Sequence, residues 1–370
     1  MCSNTQRGDH QKSGFRLRTS GSITSGTSER RESMEQTKQT QQKGDSIPIS
    51  RHFTLHAIGP ADAPGVYAAI AREGGGASSN AGIVDLGDRT LVFDTFVTPQ
   101  AGADLKAAAE QLTGRPVAYV VNSHSHRDHW SGNQAFAPET AIISTPQTRE
   151  IIVTQGVDQV RYVKAHPEEV QQAIVALEEQ IQALEEEDRD ADEQQIAALR
   201  DRIQMFHATL ETLPDLAPTP PNQTFDRRIV LHGSGRTAEL VTHGGGHSPG
   251  DALLILPEER VIFLGDLAFF QCHPFMGTST PENWRAILDQ ILTTGAETFV
   301  PGHGPLGTRE DVARQQQYVV ALTDLVQQAL SAGQSVEETC QQPIPASFDA
   351  WTGGLHRFEA NVRYLYQYFS

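Results

Sequence analysis

The chain has 370 residues, of which 38% are hydrophobic and 20% are charged, so it can bury a core of ordinary size. Its 46 acidic residues outnumber its 29 Lys and Arg, which gives a net charge of −17. Because nucleic-acid binding relies on Lys and Arg that neutralise phosphates, this balance disfavours nucleic-acid binding, and it also disfavours adhesion to anionic membranes. The sequence contains no apolar run near the roughly 18 residues that a membrane-spanning helix needs.

The cysteines are three, Cys2, Cys272 and Cys340, and they form neither a CxxC pair nor an even framework. Disulfide stabilisation is therefore not expected. A reducing compartment, the cytoplasm, fits this pattern best.

Residues 1–47 consist mainly of Ser, Thr, Gln, Arg and Gly. Such a stretch buries too little apolar surface to offset the entropy of ordering it, so we expect a disordered N-terminal extension. It also lacks the apolar core of a signal peptide. Met34 opens a less basic stretch and is a candidate native start, which would make residues 1–33 an upstream extension; a genuine disordered tail is the alternative.

The segment 52–98 predicts four short strands, HFTLHAIG, VYAAIAREG, SNAGIVDLG and RTLVFDTF. The Gly-Asp pair at 87–88 lies between the last two apolar runs and indicates a hairpin. An Ala-rich helix is expected over 99–112. The apolar run PVAYVV (116–121) then predicts a buried strand that leads directly into a segment rich in His.

Residues 167–213 carry two seams of apolar residues at heptad spacing, separated by the polar link EEEDRDADE. They predict an antiparallel helical hairpin of coiled-coil type within an acidic insertion at 158–215. Three roles are open for it: a lid or wall over the site, an arm that forms a homodimer, or two self-packed helices with solvated acidic faces.

The β pattern resumes after the insertion with RRIVLH, AELVTHG, DALLILP and RVIFLGD. A helix is expected from Pro281 to Thr294, before the strand ETFVPGHG. We expect a main domain over 48–310 and a helical C-terminal segment, 311–370, that packs on it.

The central chemical signal is a cluster of His and Asp directly after the buried strand. Its members are His124, His126, Asp128 and His129. Three imidazoles and one carboxylate within six residues form a dense set of ligands for zinc, iron and similar metals. In an extended loop the first two histidines point to the same side and can share one metal, while the pair on the following turn can face a neighbouring metal.

Three further candidates, His247, Asp266 and His303, lie at or near the ends of predicted strands. Each alone would be more typical of a turn or a cap. Together they supply the missing ligands of a dinuclear site on loops at strand ends, where α/β folds usually place function.

The order of these motifs resembles that of the metallo-β-lactamase superfamily: HxHxDH comes first, followed by His, Asp and His. The sequence contexts are also similar, namely TLVFDTF, VVNSHSHRDHWSGN, HGGGHSPGD, FLGDLAF and VPGHG. The resemblance implies an αββα sandwich, of class α/β, with the metals at one edge of the sheets. It implies that the first metal is held by three histidines, His124, His126 and His247. It implies that the second is held by Asp128, His129 and His303, with Asp266 bridging both. Asp94, in the first motif, would then fix the HxHxDH loop by hydrogen bonds.

The resemblance also implies hydrolysis by a hydroxide shared between two divalent metal ions, with zinc expected first and iron or manganese as alternatives. Asp128 would orient this nucleophile or relay a proton. Asp266 stands where true β-lactamases of the family usually have Cys or Ser, which favours the lactonase and glyoxalase II branch. We therefore expect a small-molecule substrate: an ester, lactone, thioester or amide.

Three alternatives stay open at this point. They are a mononuclear iron enzyme of the persulfide dioxygenase type, a β-lactamase-like amide hydrolase, and a non-catalytic scaffold that binds a partner through the helical hairpin. Trp130, Cys272 and His273 are candidates for the wall of the substrate pocket, and ordinary packing is the alternative for each.

Overall fold

The computed structural model describes residues 50–61, 64–186 and 193–370. The predicted N-terminal extension, 1–47, lies outside the described residues, and so does most of the polar link of the helical hairpin.

The first sheet contains seven strands that follow one another in chain order. They are β1 (Phe53–Ala57), β2 (Val66–Ala71), β3 (Ala81–Asp85), β4 (Thr90–Phe93), β5 (Val117–Val121), β6 (Ala141–Ser144) and β7 (Gln223–Thr224). Strands β1 to β4 pair antiparallel, whereas β4 to β7 pair parallel. The hairpin predicted at 87–88 joins β3 to β4, and Gly87 has a φ of 96°, which a residue without Cβ adopts readily.

The second sheet contains five strands in the order β12-β11-β10-β9-β8. They are β8 (Arg228–His232), β9 (Thr237–Val241), β10 (Leu253–Leu256), β11 (Val261–Phe269) and β12 (Thr298–His303). Only the pair β11 and β12 is parallel. Apart from the short β7, one sheet therefore precedes the helical hairpin in the chain and the other follows it.

The α-helices of the described residues lie between and after these strands. They are α1 (Pro99–Thr113), α2 (Pro146–Ile151), α3 (Val157–Ala165), α4 (Pro167–Glu186), α5 (Glu193–Thr212), α6 (Pro281–Leu292), α7 (Arg309–Ser331), α8 (Val336–Cys340) and α9 (Gly354–Phe369). The sequence predicts α1 and α6 closely, but it misses β6, α2 and α3, which are too short to show a clear period. Within the described part of the chain, none of the helices combines the length and apolar character that crossing a bilayer requires.

Apolar side chains fill three layers and explain why the sheets stack. Between the sheets, Phe93 packs against Phe263, with ring centroids 5.8 Å apart. On the outer face of the first sheet, Leu105 of α1 joins a cluster with Ile83. On the outer face of the second sheet, residues of α6, α7 and α9 form one cluster around Trp284. The predicted αββα sandwich is confirmed.

Helices α4 and α5 form the predicted hairpin and pack against each other. Their facing seams bury Ile174 and Leu177 on α4 and Ile196 and Leu199 on α5, whereas Val175 on the outer face of α4 is 47% exposed. Self-packing thus accounts for the apolar seams. A homodimer through this hairpin stays a prediction.

Replacement of Gly82 tests the packing between the two sheets. A Cβ on Gly82 would lie 2.3 Å from a ring carbon of Phe263, whose side chain is 1% exposed. Because that ring has no free space, we expect Gly82→Ala to lower the free energy of unfolding by about 1–3 kcal/mol, measured by denaturant titration. The control Gly295→Ala, where an added Cβ meets no atom within 4 Å, should change it by less than about 0.5 kcal/mol. Equal effects would contradict the described packing.

Candidate metal centre

The seven side chains predicted as metal ligands lie together, although they come from four places in the chain. The HxHxDH segment follows β5, one histidine lies in the β9–β10 loop, the bridging aspartate lies in β11, and the last histidine ends β12. Their donor atoms form two groups, each within 4.8 Å: His124, His126, His247 and Asp266 in the first, and Asp128, His129 and His303 in the second.

The ring nitrogens of the first group converge on one point. His126 Nδ1 lies 3.0 Å from His124 Nε2 and 2.9 Å from His247 Nε2. Asp266 Oδ2 lies 3.2 Å from His247 Nε2 and 3.6 Å from His124 Nε2. A tetrahedral zinc ion with bonds of about 2.0–2.1 Å separates its ligand atoms by about 3.3 Å. The spacing of this group therefore suits such an ion.

The second group has a similar spacing and shares Asp266 with the first. His303 Nε2 lies 3.3 Å from Asp128 Oδ2 and 3.4 Å from Asp266 Oδ1. His129 Nε2 lies 3.0 Å from Asp266 Oδ1. The two oxygens of Asp266 thus face different groups, which is the geometry that a bridging carboxylate requires.

Hydrogen bonding provides a separate test of whether these residues fit a metal. His129 Nε2 and Asp266 Oδ1 are buried and, within the described residues, neither has a hydrogen-bond partner of good geometry. Buried polar atoms normally find a partner. In the first group, three ring nitrogens face one another although a neutral imidazole has at most one N–H. A cation between these lone pairs satisfies all of them, so the donor set fits a metal ion.

The charges within the cluster also suit metal binding. Burial lowers the pKa of His247 to about 3, so this ring is neutral and offers a lone pair. Burial opposes a charge on His129, but the carboxylates of Asp266 and Asp94 outweigh it and raise the pKa of His129 well above its usual value. Burial opposes ionisation of Asp266, but the surrounding histidines, His129 first, lower its pKa well below its usual value. The carboxylates of the cluster therefore attract positive charge, either as a proton on His129 or as a metal ion in its place.

The model of the metallo-β-lactamase superfamily matches residues 74–303, a span that contains all seven donors. The chain belongs to this superfamily. The resemblance seen in the sequence motifs is thus confirmed.

Individual relatives of the chain within the superfamily are distant. A linear primary-alkylsulfatase from a Pseudomonas species is 22% identical over 311 residues, which are 77% of this chain and 54% of that protein. The structure of the inverting sec-alkylsulfatase Pisa1 from Pseudomonas sp. has a TM-score of 0.56 at 16% identity and covers 82% of this chain and 49% of that chain. This chain thus spans about half the length of the alkylsulfatases it matches.

A smaller superfamily structure matches over nearly its whole length. The metallo-β-lactamase FIM-1 from Pseudomonas aeruginosa, in its mono-zinc form, has a TM-score of 0.50 at 15% identity. The match covers 75% of this chain and 97% of that chain. At these identities the structural likeness shows the superfamily fold alone.

Asp94 fixes the HxHxDH loop by hydrogen bonds to residues of that loop. Its carboxylate accepts hydrogen bonds from Ser123 N and Ser123 Oγ, both at 2.7 Å, and lies 2.8 Å from His129 Nδ1. Ser123 Oγ in turn lies 2.9 Å from His124 Nδ1. Asp94 thereby directs the other ring nitrogen of His129 towards Asp266. Its φ of 60° is costly for a residue with a Cβ, and such strain concentrates at functional sites.

Asp251 fixes the loop that carries His247, and sequence analysis missed it. Its carboxylate accepts hydrogen bonds from the backbone N–H groups of Gly246 and His247, both at 2.8 Å, and from Ser248 Oγ at 2.6 Å. Burial raises the pKa of Asp251 to about 6 in spite of these donors. The available signal was the Asp four residues after the ligand, within GGGHSPGD.

Residues before β3 position the second group, and sequence analysis read them only as part of a strand. Asn80 Nδ2 donates to Pro301 O at 3.0 Å and to Gly304 O at 2.9 Å, and so holds both sides of His303. Ser78 Oγ donates to Asp128 Oδ2 at 3.3 Å. The polar run SSN at the start of an apolar strand was the only hint.

Trp130 does not line the pocket, contrary to one of the two interpretations of the sequence. Its side chain is fully buried in a cluster with Ile152, Val160, Leu213 and Leu216. Its indole Nε1 donates to Ser125 O at 2.9 Å. Trp130 therefore supports the ligand loop from the core side.

Cys272 and His273 also have contacts that favour packing. His273 is buried, and its Nδ1 lies 3.0 Å from the hydroxyl of Tyr318 on α7. Burial raises the pKa of Cys272 to about 12, so the thiol is neutral and a poor nucleophile. From the same segment, Phe275 does face the metal centre, with its ring centroid 5.3 Å from that of His126.

Substitution of Asp94 tests whether this carboxylate orients the ligands. Asp94→Asn preserves the size of the side chain, but an amide cannot accept all three hydrogen bonds and it lacks the charge that stabilises His129. We expect an affinity for zinc about 10–100-fold lower, measured by competition with a chelator. The control Asp289→Asn on α6, whose carboxylate accepts from Gln316 at 2.7 Å, should leave the affinity unchanged. An unchanged affinity in Asp94→Asn would rule out the orienting role.

Proposed function

We propose that this chain is a metal-dependent hydrolase that binds two divalent cations, zinc in the first place, and cleaves a small ester, lactone, thioester or amide. The observation that carries the proposal is the position of Asp266, which presents one carboxylate oxygen to each of two donor groups. His124, His126 and His247 would hold one cation, and Asp128, His129 and His303 the other. When bound, such a pair lowers the pKa of water and polarises a substrate oxygen.

Three ligands mark the side from which a substrate approaches. His126, Asp128 and His303 are half-buried, whereas the remaining four members of the cluster are buried. Phe275 beside His126 adds an apolar surface, and Thr278 Oγ1 lies 3.3 Å from His126 Nε2. This side therefore combines an apolar contact with a hydroxyl that can hydrogen-bond a substrate.

Asp128 is the residue best placed to orient the attacking water molecule. Burial opposes its ionisation, but His129 and His303 stabilise the carboxylate and lower the pKa of Asp128 below its usual range. Its side chain is 20% exposed, whereas that of Asp266 is 4% exposed. The ionised carboxylate of Asp128 can thus orient a water molecule towards the substrate, while Ser78 holds the carboxylate in position.

Among esters, alkyl sulfates are the first class to test. The relative with 22% identity is a linear primary-alkylsulfatase. This chain spans about half of that protein. A sulfate ester is therefore a candidate substrate in addition to carboxylic esters and lactones.

Metal content measured together with turnover tests this function. The purified full chain is assayed on an alkyl sulfate, an aryl ester, a lactone, a thioester and a β-lactam. We expect about two zinc ions per chain at full activity, loss of turnover on chelation and recovery on addition of zinc. One iron per chain with oxygen uptake would favour the persulfide dioxygenase alternative, and loaded protein without turnover would favour the scaffold.

Two ligand variants test the catalytic assignment on whichever substrate responds. His126→Ala removes a proposed metal ligand, and Asp128→Asn removes the negative charge that orients the attacking water molecule. Each should therefore lower kcat/KM by about 10²-fold or more. The melting temperature shows whether the fold persists. The control His232→Ala, at the exposed end of β8, should retain full activity. Turnover within about tenfold of the wild type in both ligand variants would contradict the assignment.

A further inference from the structure

A group of positive charges lies near the open side of the metal centre in a chain whose net charge is −17. It consists of Arg357 at the start of α9 and Arg202 on α5, and we call it the basic cluster. The charge of Arg202 acts on Arg357 and on its neighbour His356, so the two guanidinium groups are close in space.

The ring of Phe275 lies between the basic cluster and the predicted metal ligands. The guanidinium carbon of Arg357 is 5.5 Å from the ring centroid of Phe275. That ring is 5.3 Å from the ring of His126, centroid to centroid. The charge of Asp128 also acts on Arg357. A small substrate that reaches the metal centre along Phe275 therefore meets Arg357.

Arg357 lacks a partner of opposite charge. The side chain is half-buried, yet no carboxylate of the described residues forms an ion pair with it and none of their acceptors hydrogen-bonds it. Arg363, on the same helix, does pair with Glu337 at 3.1 Å. Burial first, and then the repulsion from Arg202, lower the pKa of Arg357. Guanidinium groups withdrawn from water are normally paired, so an anion bound beside Phe275 would compensate the charge of Arg357.

The position of the basic cluster is also unfavourable for α9 itself. Arg357 lies in the first turn of the helix, which contains no acidic residue. The helix dipole favours negative charge there and disfavours cations.

Helix α5 brings the helical hairpin to the rim of the same site. Met205 Sδ lies 3.8 Å from Ser78 Oγ, and Ser78 in turn contacts Asp128. Arg202 lies about one turn before Met205 on α5. The hairpin thus brings Met205 to the wall of the metal centre, with Arg202 on the same helix.

We propose that Arg357 and Arg202 form an anion-binding subsite of the substrate pocket. The substrate then carries a carboxylate, sulfonate or similar group, separated from the bond that is cleaved by an apolar link that packs on Phe275. Planar guanidinium groups match the oxygen pairs of such anions. This inference rests on the proposed function and narrows its substrate class.

Two matched esters test the subsite by turnover. Para-nitrophenyl butyrate is neutral, whereas mono-para-nitrophenyl glutarate carries a carboxylate at the end of its acyl chain. We expect the wild type to prefer the glutarate ester by about tenfold or more in kcat/KM. Arg357→Gln and Arg202→Ala should lower this preference about tenfold, and Arg357→Lys should retain part of it. Arg202 is exposed, so its replacement does not endanger the fold. The control Arg363→Ala should leave both rates unchanged.

Binding separates failure of the subsite from failure of the hydrolase. Calorimetry on the metal-loaded full chain compares glutarate with the neutral glutaramide. Tighter binding of glutarate that weakens in Arg202→Ala and Arg357→Lys, but not in Arg363→Ala, supports the subsite even if neither ester is cleaved. Equal binding of the two compounds, or a preference that all variants retain, would overturn it.

Discussion

Concentrating carboxylates and imidazoles in one buried volume is the constraint on which this structure depends. Asp266 is 4% exposed, and its two oxygens face histidines on both sides. A buried carboxylate lowers the stability of the fold unless positive charge and hydrogen bonds compensate it. Removal of one histidine or carboxylate from the cluster would therefore leave the remaining charges buried without a partner. The sandwich meets this constraint because loops and strand ends of both sheets supply the compensating groups.

Residues that are not predicted ligands hold the loops of the metal centre in place. Asp94 holds one ligand loop, Asp251 holds the second, and Asn80 holds the third through two carbonyl groups. Each of these side chains is buried and accepts or donates several hydrogen bonds, so backbone as well as side-chain contacts orient the predicted ligands. Such preorganisation allows a metal centre to keep its geometry while the substrate side stays open.

Local signals made the fold and the donor set predictable, whereas contacts distant in sequence were not. The HxHxDH segment lies on one loop after one strand, and the strand and helix periods outlined both sheets. The role of Asn80 depends on Pro301, 221 positions away, and no pattern in the sequence joins them. Trp130 stands beside a ligand, but adjacency does not reveal which face of the loop is buried. Arg357 lies over the ring of Phe275 only because α9 folds back onto the second sheet.

The most direct test is the position of the metals in crystals of the zinc-loaded full chain, located by anomalous scattering at the zinc edge. Two peaks about 3.5–4 Å apart are expected, with the carboxylate of Asp266 between them. The first should lie among His124, His126 and His247, and the second among Asp128, His129 and His303. A single peak, or peaks away from these side chains, would contradict the dinuclear centre.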